Sequence, residues 1–597
     1  MTAALALAVA LVTGALRLAT FEIGNDDYLH LSVAQQLLLG EVPVRDFIDP
    51  GELLFNYTSA AAQALGGHNM RSEVLLDVTA LAVAASLAFI LAARISRSRF
   101  WALVSVGATV LLVPRLYAYP KLLLYPVGLA AIVAYSSRPT LKRLVLAAAV
   151  TVVAFLFRHD HGGSIGIAVV AMLVLVHMAE GVMAVARRIL AFGAAVGVLL
   201  LPFLLFVQMH GGVVSYFGYT AEIARGEYLR TVGDYPAFRG SLAWPRVRVL
   251  WTPDVDTTTR QALAARYRLA NPESRDDGVW EYDLRGWSSA NMAALVADPH
   301  VKDTAGFDRR TFVLSAPVED PNLLAWFYYL TMALAPVALI VGVADARRRP
   351  NAAGLDGDTR VLLVAAVLSL VMNLFLMRSA SESAVGDVSS ITAIVAAALL
   401  ARGFRSRAPT AGVAAKVGVL VLLLAVSMAL IVRGNGGFIV SRAYQGFRDD
   451  GLASLTARLD RARALEAPFP NRLARYVNRC TAPTDRLLLT WYAPEIIYGT
   501  GRGFAAGRPY FITSFATSDR ALAFSLETLE RQRVPLVVIG PNYESEFQRA
   551  FRAIDEYVRQ HYVDLGTDAS DDGFRVLADR RLTPVGKYAD TALPCFR

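Results

Sequence analysis

Asp26 and Asp27 stand side by side just past the first apolar segment of the chain, ahead of an amphipathic stretch. Paired carboxylates at the mouth of a membrane bundle are costly to keep near lipid, and they suit proton abstraction or metal binding. A helix cap is the simpler alternative, because Asp favours the N-cap and Tyr28 to Leu39 could be the helix it starts. A cap uses one carboxylate and leaves the other unexplained. Adjacent anions raise one another's pKa, so the two should differ in proton affinity. Spacing alone does not say which of them would be the base.

A second cluster, Arg158-His159-Asp160-His161-Gly162-Gly163, follows the fifth apolar span. Four ionisable residues at a helix end are expensive unless they bind something. Arg158 suits a phosphate, and His159 and His161 could orient a substrate or remain solvated. Asp160, together with Asp26 or Asp27, could hold a divalent cation. The third cluster is Pro114-Arg115-Leu116-Tyr117-Ala118-Tyr119-Pro120-Lys121. Its cations, Arg115 and Lys121, could neutralise a phosphate, or the segment with Tyr119 could simply anchor at lipid headgroups. Arg378, at the end of the ninth span, is a further phosphate candidate. Asp46 and Asp49 sit in a bend made rigid by Pro43 and Pro50, where Asp49 is read mainly as structural.

These groups need a scaffold, and the composition says what kind. Hydrophobic residues make up 55% and charged residues 18% of the 597 positions, with a mean hydropathy of +0.42. Soluble domains carry about a quarter charged residues, so this chain belongs largely in lipid. Its formal charge of +9 comes from short basic runs between apolar spans, which are topology signals and argue against nucleic acid as a partner.

Hydropathy gives about eleven spans: Ala3 to Leu18, Val74 to Ala93, Phe100 to Val113, Leu122 to Tyr135, Leu144 to Phe157, Ser164 to Ala179, Ile189 to Val207, Leu323 to Val343, Val361 to Leu376, Ile391 to Leu400 with flanks, and Ala411 to Val432. Basic runs at Arg94 to Arg99, Arg138 to Arg143, Arg187-Arg188, Arg347 to Arg349 and Arg402 to Arg407 fall in alternate connections. The positive-inside rule therefore predicts a cytoplasmic N-terminus and an extracytoplasmic C-terminal domain in a bacterial-type inner membrane. All the candidate residues then collect on the outer face. The first span lacks a basic n-region, so it is read as a span and not as a signal peptide.

Four regions follow: 1–210, a catalytic membrane module with an external loop 20–73; 211–322, an extracytoplasmic subdomain; 323–433, further spans; and 434–597, an extracytoplasmic α/β domain. The subdomain carries Trp244, Trp251, Trp280 and Trp287, which suit a small core better than sugar stacking. In the last region, Leu487 to Trp491 and Val537 to Gly540 read as buried strands, while Ser518 to Arg533 and Ser545 to His561 have helical periodicity. Gly499-Thr500-Gly501-Arg502-Gly503 lacks the strand and helix context of a phosphate loop and is read as a turn. The only two cysteines, Cys480 and Cys595, both lie in this region and are expected to form a disulfide.

The stretch Asn25-Asp26-Asp27-Tyr28, continuing through Leu39-Gly40-Glu41-Val42-Pro43 to Arg45-Asp46-Phe47-Ile48-Asp49-Pro50, resembles the first external loop of C-type (GT-C) membrane glycosyltransferases. It is similar to bacterial relatives of the protein O-mannosyltransferases and the lipid A aminoarabinose transferases. The resemblance covers mainly Ala3 to Ala179 and implies a polytopic helical fold with a C-terminal α/β domain. It implies an inverting transfer from a polyprenyl-phosphate sugar to a glycan, lipid or protein acceptor, with a loop aspartate as base. Members of the class differ in metal use. No cofactor is required, and a Mg, Mn or Ca ion at Asp160 is the one the carboxylates allow. A lipid-linked-substrate transporter or flippase, or an envelope-assembly scaffold, are the alternatives. Transporters place polar groups near the midplane, whereas here they lie at span ends.

Overall fold

The computed structural model describes residues 1–231, 246–274, 279–284, 294–305, 321–347, 357–378, 382–405, 418, 435–464, 472–512, 515–540, 544–566, 574–590 and 592–597. The chain forms two compact units. One comprises Met1–Gly233, Thr331–Leu420 and Val440–Arg597, and the other Asp234–Leu330 with Val421–Ile439.

In chain order the first unit opens with α1 (Thr2–Thr20), α2 (Asn25–Leu38), α3 (Leu53–Gly66), α4 (Met70–Ser96) and α5 (Arg99–Leu111). A 3-10 turn at Leu116–Ala118 leads into α6 (Tyr119–Ser137), α7 (Leu141–Phe157), α8 (His159–His177), α9 (Val182–His210) and α10 (Val213–Thr231). The second unit contains α11 (Thr257–Arg266). Then come α12 (Pro321–Arg347), α13 (Gly357–Arg378) and α14 (Glu382–Arg405).

Among the described residues, eight helices are long and apolar enough to cross a bilayer: α1, α4, α6 with its leading turn, α8, α9, and segments of α12, α13 and α14. The expected windows at Phe100 and Leu144 are helices of 13 and 17 residues, short of the roughly 20 a span normally takes. The window Ala411 to Val432 lies outside the described residues. Helix α4 packs against α1, α5, α6 and α14, so its buried residues run around much of its circumference. By contrast, α9 buries only Phe192, Phe203 and Val207 and turns Val198, Leu201 and Leu205 outward, as suits a lipid-facing helix.

The C-terminal part continues with α15 (Asn435–Asp450), α16 (Ala453–Ala464), α17 (Arg472–Cys480), α18 (Pro494–Thr500), α19 (Asp519–Arg531), α20 (Glu544–Ala550) and α21 (Arg552–His561). Numbering strands along the whole chain, β1 (Arg246–Trp251), β2 (Leu269–Ser274), β3 (Val279–Leu284) and β4 (Val301–Ala305) lie in the second unit. The C-terminal domain has β5 (Arg486–Leu489), β6 (Gly503–Phe504), β7 (Leu536–Ile539), β8 (Tyr562–Asp564) and β9 (Arg575–Asp579). These five form a mixed sheet in the order β6-β5-β7-β9-β8, with β5, β6 and β7 parallel and β8 and β9 antiparallel.

Strand alternation divides that sheet's apolar residues between two cores. Leu487, Leu489, Leu536 and Val538 face α17 and α18. Leu488, Val537 and Ile539 face Leu529 of α19, Phe547 of α20 and Ile554 of α21. This is the three-layer α/β arrangement expected from the sequence, except that Phe551 interrupts the predicted helix Ser545 to His561. Within Gly499–Gly503, α18 ends at Thr500, Gly501 turns in the left-handed region at φ 62°, and Gly503 begins β6.

In the second unit, the antiparallel sheet β2-β3-β1-β4 packs its apolar face on α11. Trp251 is buried there and donates from its indole nitrogen to the Tyr282 hydroxyl at 3.0 Å. The Arg260 guanidinium lies 3.9 Å from the Trp280 ring centre. Both tryptophans are built into this small core; Trp244 and Trp287 lie outside the described residues.

Cys480 and Cys595 are disulfide-bonded across a separation of 115 residues. Closing a loop of that size stabilises a domain by about 2–5 kcal/mol. Cys595→Ser should therefore lower the thermal unfolding midpoint of the purified protein, and reductant should do the same to the wild type. An unchanged midpoint in both would show that the crosslink contributes nothing.

Candidate functional site

Helix α2 starts at Gly24, and the third residue of the helix, Asp27, accepts from the Gly24 backbone N–H at 2.7 Å. Asp27 is thus the capping residue, and it is buried. Burial pushes its carboxyl up to about 7 against the Gly24 hydrogen bond, with the charge of Asp26 adding to the rise. One residue earlier is about 100° around the helix. There Asp26 faces a cavity of about 780 Å³, where the Tyr492 hydroxyl donates to its Oδ1 at 2.6 Å. Burial alone would lift the Asp26 carboxyl. Hydrogen bonds from Tyr492 and Tyr117, with His30 and Arg115 nearby, outweigh it and hold the group below the usual carboxylate range. The sequence pair is divided: one carboxylate caps the helix and the other enters the cavity.

Three cations line the same cavity: Arg115, Lys121 and Arg158. Arg115 donates from Nε and a terminal nitrogen to Oδ2 of Asp387 at 2.9 and 2.5 Å, and from its backbone N–H to Oδ1 at 3.1 Å. The Lys121 Nζ lies 4.0 Å from the same carboxylate. Gly386 makes this approach possible, since a Cβ there would sit 2.9 Å from the Leu112 carbonyl oxygen and Pro114. Arg158 forms a two-point pair with Asp160, at 2.8 and 2.5 Å. The three cations stand against Asp387 and Asp160, and Asp26 and Glu52 line the same cavity.

His159 and His161 both border the cavity. The Tyr216 hydroxyl donates to Asp49 Oδ2 at 2.9 Å and lies 3.1 Å from Nε2 of His159. Gly51, at φ 97°, lets the bend pass under the His159 ring, which a Cβ would meet at 2.8 Å. Asp49 is buried and also accepts from the Gly51 backbone at 3.2 Å. Burial pushes its carboxyl up to about 6. Asp46 pairs with Arg45 at 2.6 Å and accepts from the Val42 backbone, closing the turn.

Two expectations need correction. Tyr119 does not enter the cavity. The 3-10 turn directs Tyr117 and Lys121 there and buries Tyr119 among Phe55, Val74 and Leu122. Asp160 is not poised beside Asp26 or Asp27 for a metal, because both its oxygens are engaged by Arg158 and Oδ1 also lies 3.1 Å from Nδ1 of His161. Among the described residues, no group of three or more His, Cys, Asp or Glu side chains could hold a metal ion. The Arg378 side chain lies outside the described residues.

The cavity also contains groups that the sequence did not announce. Asp387 opens an apolar helix and carried one legible signal, an acid at the edge of a span. His30 is buried, lies 3.9 Å between ring centres from Phe55, and burial lowers its pKa. Tyr492 and Tyr510 come from the C-terminal domain and nothing local marks them. Arg508, fully buried, fixes the Tyr510 segment by donating to the Ser525 hydroxyl and to the carbonyls of Phe515 and Ala516 at 2.6, 2.7 and 2.5 Å.

The described residues define a polytopic α-helical membrane protein with a C-terminal α/β domain and a cavity that draws on both. No protein-family model matches the sequence, and no curated protein matches it. Two solved structures of ArnT from Cupriavidus metallidurans are similar to it. The one bound to undecaprenyl phosphate aligns at 14% identity and TM-score 0.42, and the apo structure at 12% and 0.41. Each alignment covers 96% of this chain and 97% of the other.

The raised Asp27 carboxyl has a thermodynamic consequence. From its ordinary value of 3.8 up to about 7, the folded protein binds a proton that the unfolded chain releases. Stability should therefore fall as pH rises through that window and level off above it. Asp27→Asn keeps an acceptor for Gly24 and should flatten this contribution, which is worth a few kcal/mol at most. Unfolding midpoints of the two proteins, followed from about pH 4 to about pH 8, should diverge across that window; parallel curves would overturn it.

Proposed function

We propose that the protein is an inverting glycosyltransferase that moves a sugar from a polyprenyl-phosphate donor to the hydroxyl of a cell-envelope acceptor, on the extracytoplasmic face of the membrane. One observation carries the reading: a single cavity holds the Asp26 carboxylate together with three basic side chains, Arg115, Lys121 and Arg158. The resemblance of the 25–50 loop points the same way.

The chemistry follows from the division of charge. Arg115, Lys121 and Arg158 receive the donor phosphate, with the polyprenyl tail in the bilayer beside the helices. Asp387 and Asp160 hold the two guanidinium groups in place, so the cations are oriented before the donor arrives. Asp26 accepts the proton of the acceptor hydroxyl while that oxygen bonds to the anomeric carbon. The bond from that carbon to the phosphate oxygen breaks on the opposite face, and the lipid phosphate leaves with the electron pair. A carboxylate of low pKa suffices, because the hydroxyl becomes acidic only as its oxygen bonds to carbon. Each carboxylate oxygen has two lone pairs, so one fixed by tyrosines can still accept from substrate. The fixed cations offset the charge that develops on the phosphate, and stabilisation of this kind is one of the strongest accelerating effects a water-poor site can supply.

Sugar transfer by purified protein in nanodiscs, with a panel of radiolabelled polyprenyl-phosphate sugars and an envelope-lipid extract, tests the proposal. Asp26→Asn should lower turnover by about 10²–10⁴-fold, while Asp27→Asn stays within a few-fold. Arg115→Ala should weaken both donor binding and turnover. Equal activity of Asp26→Asn and wild type would remove the base assignment. Binding of carrier lipid without transfer of any sugar would favour a transport role.

A further inference from the structure

Between α3 and the first three turns of α4 runs an open groove of about 890 Å³ that takes no part in the Asp26 cavity. Its walls are Ala61, Ala62 and Leu65 of α3 and Leu75, Leu76 and Ala80 of α4, with Asn69 and Arg71 at one end. No Asp, Glu, Lys or Arg occurs from Leu53 to Gly67. The outward face of α3, formed by Tyr57, Ala61, Ala64 and Leu65, is exposed, Leu65 at 90%. An uncharged exposed face on a helix that lies against a membrane span belongs in the lipid interface. From Asn69 to Ala80, α4 rises about 16 Å, roughly half of the ~30 Å hydrocarbon core. The groove is one leaflet deep.

Charge at its polar end selects the occupant. The Arg71 guanidinium lies 4.0 Å from the carboxylate of Asp460 on α16, and both side chains are well exposed, at 42% and 69%. A lone cation would attract any anionic lipid, but the adjacent carboxylate opposes a net negative headgroup. A fixed cation beside a fixed anion complements a headgroup carrying a phosphate and an ammonium. We propose that this groove binds a zwitterionic aminophospholipid of the phosphatidylethanolamine type. One acyl chain lies along the apolar walls, the phosphate meets Arg71 and the primary ammonium donates to Asp460. A quaternary ammonium has no N–H to donate, so phosphatidylcholine should bind less well.

Native mass spectrometry of the full-length protein, released from nanodiscs of equimolar phosphatidylethanolamine, phosphatidylglycerol and phosphatidylcholine, tests this directly. Wild type should retain phosphatidylethanolamine several-fold over the other two. Asp460→Asn should abolish that preference, and Arg71→Gln should reduce retention of all phospholipids. Ala62→Phe, which fills the groove and leaves both charges intact, should also empty it. Unfolding midpoints for each variant separate loss of lipid from loss of fold. Equal retention of the three lipids by wild type, or an unchanged preference in folded Asp460→Asn, overturns the proposal. Retention of a polyprenyl phosphate in place of a phospholipid also overturns it.

Discussion

Helix α2 is held on both sides, and the placement of Asp26 depends on it. Tyr28 and Leu31 pack into the helical bundle with Phe55, Val74 and Leu81. Val33 joins the core of the C-terminal sheet. Between these apolar contacts, Gln36 accepts from the Phe504 backbone at 3.0 Å and donates to its carbonyl at 3.2 Å, as a neighbouring strand would. Gln35 donates to the Arg502 carbonyl at 2.6 Å. Leaving such buried amides without partners costs about 1–3 kcal/mol each, so α2 has one rotational setting. A shift of one residue would turn it by about 100°, taking Asp26 out of the cavity.

The same economy governs the cations. Arg115 and Arg158 each have a carboxylate partner in two-point geometry, which fixes their planes in a region where an unpaired charge would be expensive.

Much of the architecture was legible in the sequence, since hydropathy marks spans and period-two alternation marks buried strands whatever their partners. The expected windows at Phe100 and Leu144 are helices, α5 and α7, but shorter than the other spans, because an apolar window gives composition and not helix length. The division of Asp26 from Asp27 was not legible. Both fit a cap and both fit a base, and only the position of Gly24 and the 100° step between successive residues separates them. Tyr119 misled for a related reason: three residues of 3-10 turn set which of Tyr117 and Tyr119 faces inward, and periodicity carries no information about so short an element. Asp387 could have been found as an acid at the edge of a span. Tyr492 could not, because its contact with Asp26 spans 466 residues.

That long-range contact changes how the C-terminal domain is understood. The sequence presents it as a tail appended to a bundle of membrane helices. Tyr492 instead donates to the carboxylate that faces the cavity, and burial beside Asp26 keeps its phenol protonated and able to donate. The hydroxyl acts from a strand end fixed by β5 pairing, and Arg508 clamps the adjoining Tyr510 segment through two carbonyls. The Ile48 backbone N–H donates to the Gly507 carbonyl at 3.0 Å, tying the N-terminal bend to that clamp. Two distant parts of the chain therefore determine the protonation of one carboxylate. A domain that sets the charge state of Asp26 is part of the site's chemistry, and separating it from the membrane helices would remove a hydrogen-bond donor from the centre of the cavity.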